Sequence, residues 1–185
     1  MKKLTIAIFF VAILFSFSGV NAEEKEPLWT YASTDSFTDV SISEDSRNIS
    51  AIYEKKVSLW LNSSSTPYNN KTVGTGITSM DMSANGEYVV IGEEADATVT
   101  LYNEGTKEWD KSDFFLSVNG LDMTPDGTHI AVIDFLNVYY FSRTSNDEIW
   151  VDNFAGDTMT SVAISSSSQY LAAGTEDGNV YVYDT

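Results

Sequence analysis

Residues 160–165 have the sequence Thr160-Ser161-Val162-Ala163-Ile164-Ser165, and closely similar stretches occur three times upstream. The upstream copies are Thr38-Asp39-Val40-Ser41-Ile42-Ser43, Thr78-Ser79-Met80-Asp81-Met82-Ser83 and Asn119-Gly120-Leu121-Asp122-Met123-Thr124. The central apolar residues follow one another at intervals of 40, 41 and 41 residues; they are Val40, Met80, Leu121 and Val162. A fixed period of this length indicates a repeat architecture.

Each copy continues in the same order, with a tight turn, a second strand, a hairpin and a third strand. The turns at 84–86 and 125–127 contain Asn-Gly and Asp-Gly, which supply the positive backbone angles of tight hairpins. The second strands are predicted at 49–52, 88–91, 129–132 and 170–173, and the third strands at 57–60, 99–102, 138–141 and 180–183. β-branched and aromatic residues dominate these segments, as is typical of strands.

A fourth strand fills each gap and carries one aromatic marker. The markers lie 39, 41 and 41 residues apart, and they are Trp29, Tyr68, Trp109 and Trp150. Four antiparallel strands in about 40 residues form the blade of a β-propeller. We therefore predict an all-β propeller over residues 23–185, with four four-stranded antiparallel blades near 37–68, 77–109, 118–150 and 159–185.

The two ends of the repeat array complement each other. An outer-type strand at 28–33 has no blade before it, and the last unit has only three strands. We expect strand 28–33 to close the last blade, because this pairing removes two exposed sheet edges. Three arrangements stay open from the sequence: a closed four-bladed ring, half of an eight-bladed ring formed by a homodimer, and part of a larger propeller.

The last unit resembles a WD repeat. The resemblance is carried by Ile164-Ser165 and by Tyr170-Leu171-Ala172-Ala173-Gly174-Thr175-Glu176-Asp177-Gly178-Asn179-Val180-Tyr181-Val182-Tyr183-Asp184. The opening Leu28-Trp29-Thr30-Tyr31 is similar to the strand that starts repeats in pyrroloquinoline-quinone-like propellers. Secreted repeat proteins of archaea and bacteria combine both features, and the resemblance, which spans residues 28–185, implies a propeller fold. The chain departs from intracellular WD repeats, since no Gly-His pair precedes a blade and Leu61 follows Trp60 where Asp is usual.

The N-terminus is predicted to be an export signal. Lys2 and Lys3 precede an apolar run from Leu4 to Phe17, and Val20-Asn21-Ala22 offers a small-residue cleavage site. We expect cleavage after Ala22 and a secreted, cell-surface or periplasmic location, without membrane insertion of the cleaved chain. An uncleaved N-terminal anchor is the alternative, and it gives the same orientation.

Composition restricts the chemistry available to the chain. Its 185 residues include no Cys, one His, and 27 Asp and Glu against 10 Lys and Arg, for a net charge of −17. This charge argues against nucleic acid as a partner. His129 has no second His or Cys with which to form a triad or zinc site, so we predict no catalytic, metal-binding or cofactor-binding residues. Oxygen-rich turns at 125–127 and 176–179 suit calcium, but hairpin formation selects the same residues and is the favoured explanation.

Three Asn-x-Ser/Thr sequons mark candidate N-glycosylation sites at Asn48, Asn62 and Asn70. Asn62 and Asn70 flank a Ser-rich loop, whereas Asn48 leads into a strand and is expected to be less accessible. The favoured function is a non-catalytic extracytoplasmic propeller that binds or scaffolds protein or glycan partners. The alternatives are a fragment of a quinone-dependent dehydrogenase-type propeller and a structural repeat array of a cell-surface or envelope protein.

Overall fold

The computed structural model describes residues 25–154 and 156–185, and the predicted signal peptide at residues 1–22 lies outside them. The described chain forms four antiparallel sheets, which we call blades 1 to 4 in chain order. Blade 1 consists of β1 (Phe37–Ile42), β2 (Asn48–Tyr53), β3 (Lys56–Leu61) and β4 (Asn69–Thr72). Blade 2 consists of β5 (Ile77–Met82), β6 (Tyr88–Glu93), β7 (Val99–Asn103) and β8 (Thr106–Lys111).

Blades 3 and 4 continue the same topology. Blade 3 consists of β9 (Gly120–Met123), β10 (His129–Ile133), β11 (Asn137–Ser142) and β12 (Glu148–Asn153). Blade 4 consists of β13 (Met159–Ile164), β14 (Tyr170–Thr175) and β15 (Val180–Asp184). Strands that follow one another in the sequence are neighbours in every sheet. The predicted all-β architecture of four propeller blades is confirmed.

One turn motif recurs between the first and second strands of all four blades. A hydroxyl that ends or follows the first strand accepts a hydrogen bond from the backbone N–H that opens the second strand, at 2.9 to 3.0 Å. The hydroxyl residues are Ser43, Ser83, Thr124 and Ser165. Gly86 has a φ of 71° in the second of these turns, and a Cβ there would lie 2.5 Å from Asn48 Cβ. The turn residues noted in the sequence therefore do close these hairpins.

The core consists of the surfaces on which successive blades pack. β1 lies beside β5, β5 beside β9, and β9 beside β13. Blade 1 contributes Ile52 and Leu59 against Met80 and Ile91 of blade 2. Blades 2 and 3 pack in the same way through Val90, Leu101, Ile130 and Phe141. Blades 3 and 4 do so through Ile133, Tyr140, Leu171 and Ala173. Each blade thus has one face toward the preceding blade and one toward the following blade.

The ring is open between blades 4 and 1. The face of blade 1 directed away from blade 2, which we call the leading face, exposes Val40 by 65% and Ile42 by 59%. The face of blade 4 directed away from blade 3, which we call the trailing face, exposes Val180 by 71% and Val182 by 67%. The described residues therefore form an arc of four blades with an apolar surface at each end.

The expected pairing of residues 28–33 with the last blade is not found. These residues form no strand, and β15 pairs only with β14. Instead, the rings of Trp29 and Tyr31 pack against Trp60 of blade 1, with centroids 6.5 and 5.1 Å apart. The physical reason is that blades 1 and 4 lie at opposite ends of the open arc. A segment that is bound to the leading face of blade 1 therefore does not reach β15 of its own chain.

Candidate functional site

A buried carboxylate in blade 3 holds two loops together, the loop between β8 and β9 and the hairpin between β10 and β11. Asp134 has no solvent exposure and follows β10 directly. Its Oδ1 accepts hydrogen bonds from the backbone N–H groups of Leu136 (2.8 Å) and Asn137 (2.7 Å). Its Oδ2 accepts from the N–H of Phe115 (2.7 Å) and from the hydroxyl of Tyr139 (2.6 Å). Asp134 thereby fixes the loop between β8 and β9 to the hairpin between β10 and β11.

The loops fixed in this way expose three large apolar side chains. Phe115, Leu116 and Phe135 are exposed by 48%, 62% and 39%, and we call this surface the loop patch. Leu116 has a φ of 70° and Asp113 a φ of 102°, which non-glycine residues rarely adopt. The apolar side chains therefore lie on a conformationally strained loop that the buried Asp134 holds in place, a combination found at functional sites.

Two further carboxylates, Asp81 and Asp122, connect the first strands of successive blades. Asp81 accepts from the N–H of Met82 through Oδ1 and from the N–H of Met123 in the next blade through Oδ2, both at 2.7 Å. Asp122 accepts from the N–H of Ile164 in blade 4 at 2.7 Å. Burial, with a smaller contribution from the neighbouring Asp122, raises the pKa of Asp81 to about 7. These groups connect blade 2 to blade 3 and blade 3 to blade 4.

A polar groove lies between the outer parts of blades 1 and 2. It has a volume of about 490 Å³ and is lined by Asn48, Leu61, Tyr68, Asn85, Gly86, Glu87 and Glu104. The Tyr68 ring is 47% exposed, and its hydroxyl donates to Asn48 Oδ1 at 3.4 Å. The groove therefore combines an exposed aromatic ring with amide and carboxylate groups.

The three sequon asparagines have different surroundings. The Asn48 amide donates to the backbone carbonyl of Asn85 at 3.1 Å and is half-buried against Gly86. Asn62 is exposed, and its amide donates to the carbonyl of Ser46 at 2.7 Å. Asn70 is exposed on β4. Glycosylation of these residues stays a prediction, with Asn62 and Asn70 the more accessible acceptors.

His129 is engaged within the fold. Its Nδ1 lies 2.9 Å from Thr128 Oγ1 and 3.0 Å from Ser168 Oγ of blade 4, and its ring stacks on Tyr140. In the part of the chain that the structure describes, no three His, Asp or Glu side chains are grouped so that they could hold a metal ion. The same part contains no helix with the length and hydropathy that a membrane span requires.

The comparison with known families falls on the last blade. The family model of the WD domain, G-beta repeat, matches residues 151–184. No curated protein matches the chain. The matched segment begins in β12, the outer strand of blade 3, and continues through β13, β14 and β15. The segment that matches this family model therefore spans the outer strand of one blade and the three inner strands of the next blade.

Sequence reasoning located the blades but missed the residues that hold the loops. Asp81 and Asp122 occupy equivalent positions in the repeated first strand, between two apolar residues. A carboxylate at the same strand position in two of four repeats was the available signal for an interblade contact. Asp134 stood in the sequence as one scattered acidic residue, and nothing local showed that it would be buried. Its role depends on Phe115, which lies 19 residues away.

Proposed function

We propose that the chain is a non-catalytic, extracytoplasmic β-propeller module that binds a protein partner through the loop patch. The WD40 repeat and the blade-like sheets support a scaffold or binding role. The observation that carries the proposal is the exposure of Phe115, Leu116 and Phe135 on loops fixed by the buried Asp134. An apolar patch on a preorganised loop reduces the entropy cost of association.

The charge of the chain restricts the partner. With a net charge of −17, the chain repels nucleic acid and anionic membrane surfaces, so a protein with an apolar or basic contact surface is favoured. The extracytoplasmic address is supported by the signal-like segment at residues 1–22. Intact-mass measurement of the exported chain tests this address, and a mature chain beginning at Glu23 is the expected result. A chain retained in the cytoplasm with residues 1–22 intact would refute it.

Photo-cross-linking tests the loop patch directly. A benzophenone amino acid replaces Leu116, and in a matched control it replaces Val151, which is 51% exposed on β12 and is not one of the three patch residues. Cells that produce the chain are irradiated, and the adduct is identified by mass spectrometry. We expect a defined protein adduct from position 116 that position 151 does not give.

Affinity measurement with the identified partner completes the test. We expect Leu116→Asp to weaken binding at least about tenfold, because an apolar anchor contributes more than 1.4 kcal/mol when truncated. Val151→Asp should bind as the unmodified chain does. Equal affinities for the two variants, or adducts that do not depend on position, would exclude the loop patch as the binding surface.

Glycan binding is a second candidate function, and the groove at Tyr68 is the observation that favours it. An exposed aromatic ring offers a platform for a sugar ring, and Asn85, Glu87 and Glu104 offer hydrogen-bond partners for hydroxyl groups. A glycan array with the purified chain and its Tyr68→Ala variant tests this candidate. Binding that Tyr68→Ala abolishes would support it, and an array without signal would exclude it for the sugars displayed.

A further inference from the structure

The N-terminal segment occupies the position of an outer strand from a preceding blade. Trp109, in the outer strand of blade 2, donates from Nε1 to the carbonyl of Arg143 in blade 3 at 2.6 Å. Trp29 donates from Nε1 to the carbonyl of Asn62 in blade 1 at 2.7 Å. The ring of Trp109 lies 6.2 Å from Phe141, and the ring of Trp29 lies 6.5 Å from Trp60. Trp29 is thus placed against blade 1 as Trp109 is placed against blade 3.

An outer strand normally belongs to a blade with three inner strands. In the described chain, no such inner strands cover the leading face beside residues 28–33. There, Trp29, Tyr31, Val40, Ala51 and Trp60 line an open groove of about 310 Å³, which Phe37 and Ile49 also line. Trp60 is 2% exposed, and its Nε1 has no hydrogen-bond acceptor among residues 25–154 and 156–185. Buried indole N–H groups normally have a partner, so this surface is incomplete as it stands.

Blade 4 supplies the missing complement. It has three inner strands, and the outer edge of β15 has no partner strand within the described chain. Val180 and Val182 on its trailing face correspond in the repeat to Val99 and Leu101 of blade 2, which are buried against blade 3. The trailing face therefore has the surface that a following blade covers, and the leading face has the surface that a preceding blade covers.

We propose that blade 4 of a second copy of this chain binds the leading face, and that residues 28–33 become its fourth strand. Interfaces of this kind already join the blades within one chain, so the new contact continues an interface that the fold uses three times. Closure within one chain is disfavoured, because blades 1 and 4 stand apart at the two ends of the arc. Two copies joined at both ends form a closed dimer with no free sheet edge at these strands.

The repeat also specifies the register of the new strand pair. In blade 2, Trp109 is opposite Leu101 and Lys111 is opposite Val99. The equivalent pairs at the interface are Trp29 opposite Val182 and Tyr31 opposite Val180. Both valines and both aromatic rings would then face blade 1, where they would cover Val40 and Ile42. The proposal concerns the ends of the arc and does not depend on the loop patch.

Mass in solution is the first test. Light scattering on the purified chain, with its N-terminus read by mass spectrometry, is expected to give the mass of two copies. Val182→Glu should give one copy with unchanged circular dichroism, because Val182 is exposed before association and a buried, unpaired carboxylate opposes docking. Val151→Glu is the matched control and should remain a dimer. A native chain with the mass of one copy at all concentrations would overturn the proposal.

Cysteine cross-linking distinguishes a second copy from closure within one chain. The chain has no cysteine, so the double variant Tyr31→Cys with Val180→Cys carries two thiols, both at the proposed strand pair. Directly opposite residues on antiparallel strands are close enough for this bond. We expect a covalent dimer on a non-reducing gel, and Tyr31→Cys with Asp184→Cys should give much less of it. An intramolecular disulfide in the monomer would overturn the proposal, as would equal dimer yields from the two pairs.

Discussion

Replacement of Asp134 by Asn is expected to reveal how strongly one buried carboxylate stabilises the fold. The two oxygens of Asp134 accept six hydrogen bonds at 2.6 to 2.9 Å: one each from three backbone N–H groups and the Tyr139 hydroxyl, and one at each oxygen from the Asn137 side-chain amide. Burial, together with the hydrogen bond to Asp134, raises the pKa of Tyr139, so this hydroxyl remains a donor. An asparagine retains one acceptor oxygen and directs its own N–H groups toward the remaining donors.

The expected cost follows from the number of donors that lose an acceptor. The Asn137 amide keeps the remaining oxygen, but two other buried donors lose their acceptor whichever way the new amide is oriented, and each loss costs about 1–3 kcal/mol. We therefore expect Asp134→Asn to lower the free energy of unfolding by about 2–6 kcal/mol. Asp126→Asn is the control in the same blade, since Asp126 is exposed and its loss should cost less than about 1 kcal/mol.

Urea denaturation followed by tryptophan fluorescence measures both free energies. A double-mutant cycle with Tyr139→Phe adds the pairwise coupling, which we expect to exceed about 0.5 kcal/mol for groups in direct contact. Equal free energies of unfolding for Asp134→Asn and Asp126→Asn would contradict this expectation. That outcome would mean that water or a rearranged loop satisfies the donors at Phe115 and Leu136.

Three further changes test other contacts. Thr124→Val should lower the free energy of unfolding by about 1–3 kcal/mol, because the fully buried Thr124 hydroxyl accepts a hydrogen bond from the N–H of His129. Thermal denaturation measures this loss, and Ser165→Ala, at the equivalent and more exposed position, is the comparison. Trp109→Phe should cost about 1–2 kcal/mol through loss of the 2.6 Å interblade hydrogen bond, and an unchanged urea midpoint would contradict this. The raised pKa of Asp81, about 7, means that its contribution to stability is complete below pH 4 and is lost as the pH rises through 7. Asp122→Asn should reduce this loss between pH 5 and pH 8 by about 1 kcal/mol, measured by urea denaturation, and an identical pH profile would exclude coupling of the two carboxylates.

The strands could be predicted closely because their signals are local and repeated. The second strand of blade 3, predicted at 129–132, is His129–Ile133 in the structure. The fourth strand of blade 1 was harder to place, since its marker Tyr68 lies just before β4. β4 is short, has an exposed side and contains few β-branched residues, so neither alternation nor propensity defined its start.

The candidate sites were less predictable than the strands. The loop patch depends on a hydrogen bond between Phe115 and Asp134, which lie on different strand connections. Exposure of Leu116 cannot be inferred from its residue type, since an isolated leucine in a loop is as compatible with burial as with exposure. The polar groove likewise requires Asn48 and Tyr68 of blade 1 to meet Glu87 of blade 2.

By itself, the sequence determined the number of blades and the order of strands within each blade. These properties follow from a period of about 41 residues and from alternation along each strand, which are local features of the chain. Only the tertiary structure decided where residues 28–33 lie. Their indole hydrogen bond and ring packing bind them to blade 1, while the separation of blades 1 and 4 places β15 out of reach. Whether blade 4 reaches blade 1 depends on how each blade packs on the next at three interfaces, which no single segment of the sequence encodes.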